Sequence, residues 1–292
     1  AQMTNEKPVF LVANRQGSGA DKLAISSTYQ GLPVIDGVTQ FLVGARCLLA
    51  YRDFQQRAVM KCDVADQQKV DYWKRQLQDC DYVSESLASE LLRDFGIPMI
   101  QSLEVSSLDE LQTAVLNVGF PLVLKTAVQG IDHKTEVGGV ILNISDQRQL
   151  QDAYEDLIQR LGPAVTVAPM ADNSGVEMIL GISRDEQFGP TVVVGFGGIY
   201  AEILSDVAVM LPPFDSAEVK RVLKSLSMYP LLEGVRGGSP LDIDSYCDVA
   251  AKMSAIALAL SDSVVEIDIN PVRLGVKGCI GLDALVVQEK KN

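Results

Sequence analysis

From Ser84 onward, short aliphatic runs alternate with polar, capped helical stretches, and a chain patterned this way must fold as layers of sheet and helix. SESLASELLRDFGIP has Ser at the N-cap position, Glu and Leu at helical spacing, and Gly96 and Pro98 as a stop. SLDELQTAVLNVG repeats that design. FPLVLKT and GGVILNIS give strands ahead of a helix at DQRQLQDAYEDLIQRLG. Strands follow at AVTVAPM, GVEMILGIS, PTVVVGF and DVAVMLP. A helix at SAEVKRVLKSL, a long helix at 245–261 and strands at VVEIDINPV and CIGLDALVV close the chain. The expected class is α/β or α+β.

The N-terminal part is organised differently. PVFLVA (8–13) has the pattern of a buried strand, LPVI of a second, and a long amphipathic helix is expected over 37–57. This βαβα stretch is too small to close its own sheet, so it is the end of a larger parallel domain or an edge that docks on something. Residues 58–83 are polar and charged and are expected to be a linker with some helix. The expected division is therefore 1–57, 58–83 and 84–292.

Composition narrows the partners. The net charge is -13. Such an acidic chain is a poor match for nucleic acid or an anionic membrane, so an anionic ligand needs a local basic pocket. The five cysteines are scattered, odd in number and never spaced as C-x-x-C, which argues for reduced thiols in a cytoplasmic protein without a zinc site. No run is long and apolar enough to span a membrane.

Three segments carry chemistry. The only histidine, His133, lies in KTAVQGIDHKTEVGGV between Lys125 and Lys134, ahead of Gly138 and Gly139. Imidazole accepts and releases groups near neutral pH, and lysines with backbone N–H groups hold phosphate. Each residue also has a plainer reading: a surface histidine, a solvated strand-end lysine, a simple glycine turn. The neighbouring Lys134 would favour the neutral, nucleophilic imidazole by like-charge repulsion. A second segment, VVVGFGGIYAE, suggests a dinucleotide fingerprint, but Tyr200 stands where the third glycine belongs. Glu202 and Asp206 follow it and could hold a metal, orient a histidine or simply be exposed acids. The third segment is EIDINPVRLGVKGCIGLDALVV. Asp268 and Asn270 alternate on one strand face and Asp283 falls on the next strand. They suit Mg²⁺ completed by phosphate and water, or equally turn and loop caps.

These motifs occur in an order that resembles a known family. From about Ser84 the chain is similar to the ATP-grasp domain of NDP-forming acyl-CoA synthetases, the relatives of succinyl-CoA synthetase. The residues that carry the resemblance are GFPLVLKTAVQGIDHKTEVGGV, APMADNSGVEMILGISRDEQFGP, GFGGIYAEILSDVAVMLPP, LLEGVRGGSPLD and EIDINPV. Residues 8–57 look like the last βαβα of the CoA-ligase domain that precedes ATP-grasp in single-chain members, a partial flavodoxin-like segment.

The resemblance implies ATP held between two α+β lobes. Lys125 would be the phosphate-binding lysine with Lys134 beside the same site, and Gly138 and Gly139 the flexible loop over the phosphates. Val167, Ala168 and Met170 would form the adenine hinge, with Glu177 near the nucleotide. Asn270 and Asp283 would bind Mg²⁺, with Asp268 beside them. His133 would carry phosphate and Glu202 would orient it. In the family, acid, CoA and ATP interconvert with acyl-CoA, ADP and phosphate through an acyl phosphate and a phosphohistidine. The CoA-binding domain and the domain with the family's other phosphorylated histidine have no counterpart in these residues. The chain is thus expected to be a subunit or the C-terminal portion of a longer polypeptide, to form an oligomer, and to bind ATP–Mg²⁺ without making acyl-CoA alone. Two other readings are a ligand-sensing, ligase-like region of a protein lysine acetyltransferase and, resting on GFGG alone, a dinucleotide-binding oxidoreductase.

Overall fold

The structure, a computed structural model, describes residues 10–14, 22–57, 59–131, 134–198, 204–235 and 237–289. Contacts divide the chain into two units, Ala1–Val59 and Met60–Asn292.

The first unit is a βαβα stretch. Strand β1 (Leu11–Val12) pairs in parallel with β2 (Val34–Ile35), and helix α1 (Lys22–Tyr29) makes the crossover. Helix α2 (Val38–Gln55) starts after Gly37, whose positive φ of 89° is the left-handed conformation that glycine adopts without a Cβ penalty. The apolar residues of α2 do not form one stripe, contrary to the amphipathic expectation, and none of its side chains is buried. Leu42, Leu48, Leu49 and Phe54 all face solvent.

The second unit contains two antiparallel sheets, each with its own core. Helix α3 (Gln67–Asp79) precedes α4 (Glu85–Asp94), whose N-cap Ser84 accepts from the Leu87 N–H. Residues expected to be linker thus include a docked helix: Val70, Trp73 and Leu77 follow helical spacing and are buried in the larger core.

The smaller sheet has the order β3 (Leu103–Val105), β6 (Val165–Pro169), β4 (Leu122–Thr126), β5 (Val140–Ile144). Helices α5 (Leu108–Val118) and α6 (Gln147–Arg160) cover one face. Leu122, Leu124, Val165 and Val167 point into that core. Strand alternation therefore sends Lys125, Thr166 and Ala168 to the other face.

The larger sheet has the order β11 (Cys279–Gly281), β10 (Val264–Leu274), β7 (Val176–Asp185), β8 (Gly189–Phe196), β9 (Val207–Met210), with β12 (Ala284–Gln288) also on β10. Helices α7 (Ser216–Leu223), α8 (Tyr229–Leu232) and α9 (Ile243–Ala259) pack with it into the larger core. Ser254, a polar interruption of the apolar α9, is buried and its hydroxyl accepts from the Phe214 N–H at 3.0 Å. The register of β10 against β7 shifts between Ile269 and Val272, where Pro271 has no N–H to give the ladder. Among the described residues no helix is long and apolar enough to cross a membrane.

Candidate functional site

Four charged side chains from separated parts of the second unit converge. Lys125 is the next-to-last residue of β4, on the sheet face away from the helices. Its ammonium donates to Glu85 Oε1 at 3.0 Å and to the Leu282 carbonyl at 2.7 Å, with Asp283 Oδ2 at 3.4 Å. Lys134 donates to the other Glu85 oxygen, Oε2, at 2.7 Å and to Asp283 Oδ1 at 3.2 Å. Asp283 is also anchored by the Ala284 N–H at 2.9 Å. Two cations thus share two carboxylates. The side chains of Glu85 and Lys125 are only 7% and 10% exposed, so the compensation is what makes their burial tolerable. Burial acts to lower the Lys134 pKa, but the Asp283 and Glu85 carboxylates together outweigh it and raise the value above that of an ordinary lysine.

Beside this cluster lies a cleft of about 390 Å³. Lys134, Glu85, Asp268, Asn270 and Asp283 are among its lining residues. Ile267 and Ile269 are buried, so alternation along β10 puts Asp268 and Asn270 together on the opposite face, as expected. Asp283 differs: it precedes β12 instead of lying on a strand. The chain breaks off β11 at Gly281, the Leu282 N–H turns to the Pro271 carbonyl, and pairing resumes at Ala284 opposite Ile269. Two carboxylates and one amide are hard oxygen donors suited to Mg²⁺ when phosphate and water complete the shell. Among the described residues no group of three or more His, Cys, Asp or Glu could hold a metal by itself.

Gly138, Gly139, Val167, Ala168, Met170 and Glu177 are not among the residues lining this cleft. Both glycine N–H groups are spent inside their own turn, Gly138 donating to the Thr135 carbonyl and Gly139 to that of Lys134. Both donors are thus engaged within the loop itself. Gly139 permits close packing, since a Cβ there would fall 2.6 Å from Thr126 Cγ2. Val167, Ala168 and Met170 lie on or just after β6. Val167 points into the helix-backed core, Ala168 away from it, and the Met170 N–H donates to the Pro121 carbonyl. Glu177 accepts from Arg273 at 2.7 Å across β7 and β10. His133 and Glu202 lie outside the described residues.

The GFGG segment does not form a dinucleotide turn. Gly195 lies inside β8, which is antiparallel to both neighbours, whereas the fingerprint needs a parallel strand opening into a helix. A Cβ at Gly197 would meet the Met178 backbone at 2.9 Å, and one at Gly195 that of Asp206 and Val207 at 2.6 Å. The glycines serve tight strand packing. Asp206 caps backbone, accepting from the N–H groups of Ser227 and Met228.

Glu85 was missed by sequence reasoning. Its only local signal is an acid in the first turn of a capped helix, where the helix dipole also favours negative charge.

The second unit is similar to known proteins. Residues 76–287 match the ATP-grasp domain family. The chain is 33% identical over 213 residues to the β subunit of the ADP-forming acetate–CoA ligase I of Pyrococcus furiosus, covering 90% of that subunit and 70% of this chain. It is 34% identical over 218 residues to a trans-feruloyl-CoA synthase from an unknown prokaryotic organism, where the match takes in 71% of this chain but only 31% of the relative. Among solved structures, an acetyl-coenzyme A synthetase of Ca. Korarchaeum cryptofilum, in complex with coenzyme A and Ca-AMPCP, matches with a TM-score of 0.69 at 30% identity over 75% of this chain and 99% of that one. Another structure of that enzyme, with Mg-AMPPCP and a phosphohistidine segment pointing towards the nucleotide site, matches with a TM-score of 0.65 at 31% identity, covering 76% of this chain and 100% of that one.

Proposed function

On the premise that this chain belongs to the ATP-grasp domain family, among the relatives of ADP-forming acyl-CoA ligase β subunits, we propose that it binds ATP–Mg²⁺ and carries phosphate on His133 for an acid–CoA ligase. The supporting observation is that Lys134, Asp268, Asn270 and Asp283 line one cleft, with Lys125 held directly behind by Glu85. Asp268, Asn270 and Asp283 would hold Mg²⁺, which supplies charge neutralisation to the polyphosphate when bound. Lys134 would contact the phosphates from beside Asp283, with which it is paired here. Lys125 joins it once its Asp283 contact is given up. A ring nitrogen of His133 attacks the γ-phosphorus, the bond to the β,γ-bridging oxygen breaks, and ADP leaves. Glu202 would orient the imidazole. Val167, Ala168 and Met170 would form the adenine hinge, and Glu177 would stand near the nucleotide.

In the complete enzyme the phosphate would pass to the acid as an acyl phosphate that CoA then cleaves. A CoA-binding ligase domain or subunit is the expected partner, the assembly an oligomer, and the cytoplasm its compartment. The first unit would be the tail of such a ligase domain, which suits its parallel strand pair and exposed apolar helix. The ATP-grasp portion would then begin with α3, ahead of the boundary at 84.

The test is incubation with γ-labelled ATP and Mg²⁺ alongside thermal unfolding. We expect a raised melting temperature and acid-labile label that is lost in His133→Asn. A ligand-sensing region fused to an acetyltransferase would show the shift without label. Absence of both removes the proposal.

A further inference from the structure

Lys134 in the cleft and Lys125 behind it do not stand as free cations. An ammonium has three N–H groups. Those of Lys125 face three partners, the Glu85 carboxylate, the Leu282 carbonyl and, more loosely, Asp283. Lys134 has Glu85 at 2.7 Å and a longer, forked contact to both oxygens of Asp283 at 3.2 and 3.4 Å. In both cases Glu85 is the nearer carboxylate. The two acids also differ in setting. Glu85 belongs to the first turn of α4, whose Leu91 and Leu92 are fully buried in the larger core, so its backbone is fixed. Asp283 sits in the joint between β11 and β12 and is 27% exposed towards the cleft.

We propose that Glu85 is a positioning residue: its carboxylate holds the Lys125 and Lys134 ammonium groups side by side, while Asp283 is the carboxylate they exchange. When Asp283 turns to a divalent cation, each lysine gains a free donor for phosphate, and Glu85 keeps the pair from separating. Cation and polyphosphate binding are coupled by this exchange, over and above the neutralisation that the cation supplies. The inference rests on the nucleotide reading above and gives Glu85 a role within it.

The experiment is calorimetric titration with AMPPCP, with and without Mg²⁺, of the unaltered chain, E85Q, E85D and D283N, each checked for folding by circular dichroism. The unaltered chain should bind more tightly with Mg²⁺. E85Q should weaken binding about tenfold in both conditions, the loss of one charge-assisted hydrogen bond, and keep the Mg²⁺ enhancement. E85D keeps the charge but is one methylene short of bridging both lysines, so it should be as weak as E85Q. D283N should lose the enhancement and bind metal-free AMPPCP more tightly than the unaltered chain. E85Q matching the unaltered chain, E85Q losing the enhancement as D283N does, or E85D restoring full affinity would each overturn the role of Glu85. If E85Q does not fold, E85D decides. An unaltered chain that binds AMPPCP in neither condition removes the nucleotide reading itself.

Discussion

Glu85 and Lys134 meet at 2.7 Å although 49 residues separate them in the chain. The pair joins the start of α4 to the loop that leads into β5. Lys134→Met should remove it while keeping most of the side-chain volume. Lys125 still neutralises Glu85, so the expected cost is about 2 kcal/mol, below that of leaving a buried charge alone. The raised pKa of Lys134 sets the pH window. Its contribution is fully present below the ordinary lysine value of 10.5 and is lost as pH rises through the higher folded value. Denaturant unfolding followed upwards from about pH 9 should show the gap between the two proteins unchanged up to the ordinary lysine value of 10.5 and closing only above it. Convergence already below that value would contradict the pairing.

Gly139 and Gly138 should respond differently to alanine. A Cβ at Gly139 would lie 2.6 Å from Thr126 Cγ2 and 2.9 Å from the Lys134 carbonyl oxygen, so the loop must lift off β4. We expect Gly139→Ala to cost about 2 kcal/mol and to weaken nucleotide binding through Lys134. At Gly138 the nearest atom is an Arg160 nitrogen at 3.5 Å, and the strain comes from φ of 63°. About 1 kcal/mol is expected there, with nucleotide affinity largely kept. Equal effects on nucleotide titration and unfolding would show that close packing is not what Gly139 provides.

What the sequence reveals depends on how far apart the cooperating residues lie. Helices α4 and α5 are legible because Ser84 and Ser107 sit at their caps and Gly119 ends the second. The strand face of Asp268 and Asn270 follows from simple alternation. Strand β3, with three residues, is too short to produce a pattern. Trp73 was hidden among charges in a stretch that looked like linker, although Val70, Trp73 and Leu77 form a helical stripe. Asp283 looked like a strand residue because nothing local signals that the Leu282 N–H turns away to the Pro271 carbonyl. Glu85 was illegible for a further reason: its lysines lie 40 and 49 residues onward, and only the folded sheet brings them to it.

Trp73 tests whether the segment before α4 belongs to the folded unit. Its indole is 1% exposed and donates to Asp94 Oδ2 at 2.9 Å. Trp73→Ala should cost about 4 kcal/mol through the cavity it leaves. Trp73→Phe keeps most of the packing and removes the donor. The Trp73 hydrogen bond, with that of Lys69, holds the Asp94 carboxyl below the usual range, so its contribution is present above pH 3.8 and fades as pH falls through the lower folded value. The phenylalanine variant should therefore approach the parent's stability only in acid. A Trp73→Ala variant as stable as the parent would mean that residues 67–79 are a true linker.

Asn270 gives the cleanest separation of ligand binding from folding. It is exposed on the cleft face of β10, while its neighbours Ile269 and Val272 are buried. Truncating an exposed side chain usually changes stability by no more than about 0.5 kcal/mol, so Asn270→Ala should melt close to the parent without ligand. With ATP and Mg²⁺ the two should part. A ligand of the native state stabilises in proportion to the logarithm of its concentration over Kd, so a tenfold weaker Kd removes about 1.4 kcal/mol of that stabilisation. For a unit of this size that is a deficit of about 2–4 °C in the ligand-induced shift. With ATP and excess chelator the deficit should vanish, because the amide is proposed to act through the cation. A deficit that persists in chelator would place Asn270 against the nucleotide itself, and no deficit in either condition would remove it from the site.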